Sequence, residues 1–323
     1  MDGLLIIDKP AGPTSHDVVS RMRRLLREKR IGHTGTLDPM ATGVLLLVVG
    51  RATRLSQFLT ASDKSYEAVV RLGFATDTAD AEGQPAGPIS RTPLPPRETI
   101  EAVLDEFRGT YLQQPPAFSA KKIDGTRSYK IARAARVNSP DPRALKNSDP
   151  TNPPDLPDPS DPQALPASAS VTVHRLEIVS VEADSVTLRV DCSAGFYVRS
   201  LAHDLGQRLG IGGHLAALRR TRSGDFTLEQ AISLDTLERD AQLAIDGLIP
   251  LAEMLPAFTA VTLTAEGVLR ATHGRALGPA DTERGLTGRG SRFVRLLDQS
   301  GQLVGIAEPV GASALLHPSV VLM

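Results

Sequence analysis

Residues 32–49 read GHTGTLDPMATGVLLLVV: a glycine-rich stretch holding one carboxylate, Asp38, directly ahead of six aliphatic residues, Val44 to Val49. The aliphatic run is too short for a core helix and stops at Gly50, so it reads as a buried strand. What precedes it is less ordinary. Gly32, Gly35 and Gly43 permit positive φ and close backbone approach, while Pro39 fixes the chain just after Asp38. Three readings fit. A phosphate cradle is one, although Thr42-Gly43-Val44 supplies no lysine where such loops need it. A turn brace or helix cap is another, the commonest fate of a loop aspartate. The third is a positioned nucleophile or general base, since a fixed, partly desolvated carboxylate can attack carbon.

Working outward, Leu4 to Ile7 forms a short strand that ends in the proline turn DKPAGPTS. A helix begins near Thr14 or Ser15, where Thr14 and Asp17 have the spacing of a capping box, and Val18, Met22, Leu25 and Leu26 make its buried stripe. Its continuation, RMRRLLREKR (21–30), has six basic residues and one Glu. A solvated basic face and an RNA-facing surface fit it equally. RATRLSQFL after Gly50 is read as a helix, Tyr66–Leu72 as a strand, and ETIEAVLDEFRG as an amphipathic helix stopped by Gly109. Strands are expected near 171–181 and 185–192, then a helix from about Tyr197 to Leu209. GIGGHLAALRRTRSGDF should be a glycine turn, a short helix and the start of a strand. Residues 249–323 read as a compact, mostly β module with a hairpin turning at Asp298–Gly301 and few candidate acid, base or nucleophile groups.

Composition narrows the function. The chain has 323 residues, 41% hydrophobic and 23% charged, enough for one large domain and a small one. No run of about 18 apolar residues occurs and the N-terminus lacks an export signal, so a cytoplasmic protein with no membrane partner is expected. Cys192 is the only cysteine and reads as a core strand residue; the seven histidines form no H-x-x-x-H pair, so no metal is expected. The net charge of −1 hides an uneven distribution. Segment 138–170 carries nine of the 24 prolines and five aspartates against Arg143 and Lys146, and is read as a disordered insertion; basic patches elsewhere can still attract nucleic acid.

GHTGTLDPMATGVLLLVVGRATR resembles, without a gap, the signature of the TruB family of tRNA pseudouridine-55 synthases. LLIIDKPAGPTSHDVV, DKSYEA, QQPPAFSAKKIDGTRSYKIAR, CSAGFYVRSLAHDLG and GGHLAALRRTRSGDF agree in the same order. The resemblance implies an α+β fold. Residues 1–248 would form a catalytic domain with a central mixed, largely antiparallel sheet flanked by helices, including an RNA-clamping segment at about 113–137. Residues 249–323 would form a PUA-like RNA-binding domain. It also implies isomerisation of uridine to pseudouridine in the tRNA T-loop with no cofactor, by a monomer that binds the T-stem-loop. Asp38 matches the family nucleophile, Arg199 the arginine paired with it, and Tyr66 the tyrosine that stacks on the base and helps remove the C5 proton. Tyr197 and Leu218 match uridine-contacting positions, and His33 the histidine where the flipped nucleotide leaves the loop. Lys121, Lys122, Arg127, Lys130 and Arg133 fall in the clamp, and Lys9 and Pro10 support the site. The connector at 138–170 is longer than is usual in the family. Taken singly, each residue also has a plain structural reading: Arg199 on a helix surface, Tyr66 and Leu218 in a core, His33 as a polar residue in a mobile turn.

Two rivals have other requirements. An RNA-folding factor, a role the resemblance allows beside catalysis, would use the same surface with Asp38 incidental. A glycosidase needs a second carboxylate, for which Asp77 and Asp80 are the nearest candidates; their spacing lacks the pattern of a calcium loop.

Overall fold

A computed structural model describes residues 1–90, 92–116, 122–123, 126–127, 167–284, 292–311 and 315–322, with the backbone alone described at 122–123 and 126–127. The expected insertion at 138–170 lies outside the described residues except for its last four positions. The chain forms two compact units, residues 1–64 with 219–323, and residues 65–218. The fold is α+β, with mixed strand pairing, flanking helices and a separate small β-sheet near the C-terminus.

In the first unit, strand β1 (Gly3–Lys9) pairs antiparallel with β3 (Thr42–Val49) in unbroken register from Gly3 opposite Val49 to Lys9 opposite Gly43. Leu4–Ile7 and Val44–Val49 are all buried, so these strands are covered on both faces; that is why the sequence shows continuous apolar runs and no alternation. Helix α1 (Ser15–Leu25) lies between them in sequence. Its capping box is present: Asp17 N–H donates to Thr14 Oγ1 at 3.1 Å, and Thr14 N–H to Asp17 Oδ2 at 2.9 Å. Val18, Val19 and Met22 are its buried face, whereas Leu25 stays half-exposed. Strand β2 (Ile31–Thr34) pairs with β3 as well, His33 opposite Leu47. After β3 the expected helix is a 3₁₀ turn (Gly50–Leu55) followed by the short α2 (Ser56–Thr60).

The second unit begins within β4 (Lys64–Leu72). Two short strands of two residues each follow and pair antiparallel, β5 (Ala75–Thr76) and β6 (Pro85–Ala86), then α3 (Arg97–Leu104) burying Ile100 and Leu104, and β7 (Gly109–Gln113). The expected stop at Gly109 coincides with a left-handed φ of +78°, at the first residue of β7. Lys122–Ile123 (β8) and Thr126–Arg127 (β9) pair antiparallel. The strands β10 (Ala169–Val181) and β11 (Ser185–Cys192) and helix α4 (Val198–Arg208) fall where the sequence places them, and the strand order is β4-β11-β10-β7.

The short helix expected between the glycine turn and the strand entry of GIGGHLAALRRTRSGDF does not form; residues 213–223 are one continuous strand, β12 (Gly213–Ser223). Its C-terminal half runs parallel to β3, Arg219 opposite Thr42 and Arg220 opposite Gly43. Pairing with a buried neighbour decides the conformation of a stretch whose local pattern does not. It also explains Gly43, which has φ +101° and where a Cβ would lie 2.1 Å from the Arg220 carbonyl oxygen.

The first unit continues through β13 (Phe226–Thr227), β14 (Ile232–Ser233), α5 (Leu234–Arg239) and α6 (Gln242–Asp246), giving the order β14-β1-β3-β12. The last sheet is ordered β15-β16-β17-β18: β15 (Thr259–Thr262), β16 (Val294–Leu297), β17 (Leu303–Pro309) and β18 (Leu316–Val321). Helix α7 (Ala265–Thr272) covers one face, where Ala271 joins Val261, Val294, Leu296 and Val304. The other face sends Leu303, Ile306 and Val320 into a core with Leu4, Ile6, Val44, Leu46 and Val48. Residues on both sides of position 249 therefore share one hydrophobic core. Among the described residues no helix is long and apolar enough to cross a membrane.

Candidate active site

The turn carrying Asp38 connects β2 to β3, and its shape is held by side chains from well outside it. Ser15, at the start of α1, is buried; Leu37 N–H donates to its Oγ at 2.9 Å and the hydroxyl donates to Leu37 O at 3.0 Å. Lys9, fully buried, donates from Nζ to Pro39 O (3.2 Å), Ala41 O (2.7 Å) and Pro10 O (3.0 Å). Gly12 N–H reaches Pro39 O, and Ala41 N–H closes the turn on Asp38 O at 3.1 Å. Arg220, 1% exposed, spans the ends of the segment, donating from Nε to Val44 O (2.7 Å) and from a terminal nitrogen to Gly35 O (3.0 Å). The half-buried Asp38 thus sits on a strapped main chain.

This geometry separates the readings of the stretch. The amides of Leu37 and Ala41 are spent inside the turn, which weakens a phosphate cradle. No helix starts after Asp38, since the next element is β3, so the helix-cap reading falls. Gly35 (φ +80°) and Gly43 use the left-handed region, whereas Gly32 is an ordinary residue of β2. His33 is likewise on a strand and not in a mobile turn, its ring meeting His16 edge-on at 5.4 Å. Strand pairing on β3 extends further back than the glycine content suggests.

The second unit positions Arg199 in the first turn of α4, 6% exposed. Its guanidinium donates to Asp80 Oδ2 and to Thr78 O, both at 3.3 Å. Asp80, itself buried, accepts through Oδ1 from Thr78 Oγ1 (2.6 Å) and Glu82 N–H (3.1 Å). Such a carboxylate is fixed by its own turn and holds the arginine in place. Tyr66 on β4 and Leu218 on β12 are each 9% exposed. Tyr197 caps α4, and Gln113 grips its main chain at both ends: Tyr197 N–H donates to Gln113 Oε1 at 2.8 Å, and Gln113 Nε2 donates to Tyr197 O at 3.0 Å.

The expected site residues are therefore distributed as Asp38 and His33 in the first unit, and Tyr66, Tyr197, Arg199 and Leu218 in the second. Of the clamp residues, Lys121, Lys130 and Arg133 lie outside the described residues, while Lys122 and Arg127 are backbone partners in the β8–β9 register. Ser15, Gln113 and the roles of Asp80 and Arg220 were not legible in advance. Arg220 stands in a run of basic residues, ALRRTRSG, where nothing separates a buried guanidinium from its solvated neighbours. Among the described residues no group of three His, Cys, Asp or Glu is placed to hold a metal ion.

Comparison with known proteins decides the family. Residues 23–147 match the TruB family pseudouridylate synthase (N terminal domain), and residues 199–255 the tRNA pseudouridylate synthase B C-terminal domain. The tRNA pseudouridine synthase B of Solibacter usitatus (strain Ellin6076) is 41% identical over 324 residues, covering 100% of each chain. The chain belongs to the TruB family. The TruB relative from Geobacter sulfurreducens (strain ATCC 51573 / DSM 12127 / PCA) is also 41% identical, over 95% of this chain and 93% of its own. Solved structures to which this chain is similar include an H/ACA RNP bound to a substrate RNA containing 2′-deoxyuridine, at TM-score 0.68 and 25% identity, covering 99% of this chain and 85% of that one. A Cbf5-Nop10-Gar1 complex matches at TM-score 0.67 and 26% identity, over 99% and 85%. As a TruB member the chain is an enzyme, a pseudouridine synthase.

Proposed function

We propose that this enzyme isomerises the uridine at position 55 in the T-loop of tRNA, with Asp38 as the nucleophile. The observation carrying this reading is the strapped turn: Lys9, Ser15, Gly12 and Arg220 fix the main chain around one half-buried carboxylate. Positioning of that kind lowers a barrier because the reacting group needs no reorganisation at the moment of reaction.

The target uridine is extruded from its stack, at a cost of about a few kcal/mol. Contacts elsewhere on the RNA offset that cost, and the basic residues Lys121, Lys122, Arg127, Lys130 and Arg133 with the PUA-like C-terminal module are the proposed source. Asp38 stabilises or captures the sugar or base as the N1–C1′ bond breaks; the uracil turns, C5 bonds to C1′, the C5 proton leaves to solvent and N1 takes up a proton, so that product and substrate are isomers. Arg199 pairs with the nucleophile, and Asp80 positions Arg199. Tyr66 stacks on the base, Tyr197 and Leu218 line the pocket, and His33 guards the departing nucleotide. The reaction is a redox-neutral isomerisation and is proposed to proceed without a cofactor. The enzyme is proposed to act as a cytoplasmic monomer on the T-stem-loop.

The glycosidase alternative loses its second acid. Asp80 is committed to Arg199 and Thr78, and Asp77 Oδ1 accepts from Gln84 N–H at 2.8 Å. Tritium release from C5-labelled uridine in a tRNA stem-loop is the direct test. Asp38→Asn is expected to cut release by about 10⁴-fold or more while stem-loop affinity stays within about twofold. Equal release by variant and wild type would remove Asp38 from the chemistry.

A further inference from the structure

A cleft of about 660 Å³ in the first unit takes no part in the chemistry above. Phe58 of α2, Phe258 and Phe293 all line it. The Phe258 and Phe293 rings stack at 5.4 Å with 25° between planes, and Phe58 meets them edge-on at 5.6 and 4.9 Å. These are three of only eight phenylalanines in a tryptophan-free chain, all half-buried around one opening. Arg292 is exposed and lays its guanidinium over the Phe293 ring, 5.1 Å from the centroid. The remaining charge is mixed: Arg222 against Asp63, Asp225 and Glu308.

That lining discriminates between ligands. Three carboxylates against two guanidinium groups make a poor rail for a phosphate backbone, which needs a surplus of positive charge. A planar ring with N–H donors along its edge fits better. Its face stacks on phenylalanine or on the guanidinium plane, and its donors meet carboxylate oxygens. Guanine offers an imino N–H beside an amino group, a two-donor edge matching the two oxygens of one carboxylate. The volume holds a nucleoside and lies within the range of specific pockets.

We propose that this cleft captures one unpaired guanine of the RNA substrate, separate from the target uridine. The base stacks against the Phe258–Phe293–Arg292 group, and the exposed carboxylates of Asp225 and Glu308 read its donor edge. This rests on the proposed RNA substrate. The anchor would supply part of the binding energy that base extrusion consumes.

The test uses the full chain with full-length tRNA. Ultraviolet crosslinking followed by peptide mapping is expected to join a guanine to a peptide containing Phe258 or Phe293. Arg292→Ala and Asp225→Asn, both at exposed positions, should each weaken tRNA binding fivefold or more with folding intact. Arg292→Lys should resemble Arg292→Ala, because it keeps charge and loses the plane. Unchanged affinity in these variants, or full rescue by Arg292→Lys, would overturn the proposal. So would guanosine monophosphate binding the cleft while tRNA crosslinks elsewhere, which would assign the site to a free nucleotide. Wild-type tritium release separates the two levels: normal release with no effect of the variants sinks the guanine site alone, whereas no release from any tRNA sinks the proposed substrate.

Discussion

Buried cations are used differently in the two units. Lys9 and Arg220, at 0% and 1% exposure, donate to main-chain carbonyls around the Asp38 turn; Arg199, at 6%, donates to the carboxylate of Asp80. A carbonyl cannot titrate and cannot move without moving the chain, so Lys9 and Arg220 set a backbone shape. A side-chain carboxylate neutralises its partner and fixes one edge of the guanidinium, so Asp80 sets a direction. The first arrangement positions the proposed nucleophile and the second positions its proposed partner.

Removing a donor from the first arrangement should have the larger effect. Lys9→Met keeps the length and apolar stem of the side chain but leaves the carbonyls of Pro39 and Ala41 without that donor. Stability should fall by about 3 kcal/mol, since buried carbonyls lose their partner. At a temperature where the variant is folded, kcat should fall by about 100-fold, the usual effect of a misplacement near 1 Å. Denaturant unfolding and single-turnover tritium release measure the two losses separately. Wild-type kcat in a destabilised Lys9→Met would show that the strap serves folding alone, and the contrast between the cations would vanish.

Asp80→Asn acts on the second arrangement. Asparagine preserves shape and can still accept from Thr78 or from Arg199, but it carries no charge to balance the guanidinium. We expect kcat to drop by about tenfold and KM by less than threefold, with a stability loss of about 2 kcal/mol. If kcat is untouched, Arg199 is oriented by something other than this pair.

The contrast also explains what was legible in the sequence. The Val44–Val49 run, the Thr14–Asp17 cap and the strands around 171–192 were readable because each depends on neighbours within a few residues. The shape of the Asp38 turn depends on Ser15, Lys9 and Arg220, the last 182 positions away in sequence, and no local pattern reports such partners. Arg199 could be picked out by its motif, while Asp80 could be taken for a glycosidase acid because its partner is supplied by folding. The same reason accounts for the short helix expected between the glycine turn and the strand entry near 213–223: pairing with β3, far away in sequence, extends the strand over that stretch. The core shared by β1, β3 and β17 joins residues about 260 to 300 positions apart, which composition along the chain cannot reveal.

The smallest expected effect concerns a carboxylate that contrasts with Asp80. Asp204, on α4, is half-buried, and burial pushes its carboxyl above the usual range, with His203 countering only in part. Nearby Tyr111 is pushed up as well, by burial first and by the Asp204 charge second. A raised native pKa means that the folded state favours the protonated carboxyl. Stability is then greatest below the unfolded pKa, near 3.9, and declines as pH rises through the native value. Asp204→Asn removes the ionisation, so the variant should be the more stable at pH 7, by less than about 1 kcal/mol given solvent screening, and equal to wild type below about pH 4. Thermal unfolding at both pH values reads the difference. A variant destabilised at pH 7 would mean that the Asp204 charge is matched after all, placing it with Asp80 as a carboxylate the fold has use for.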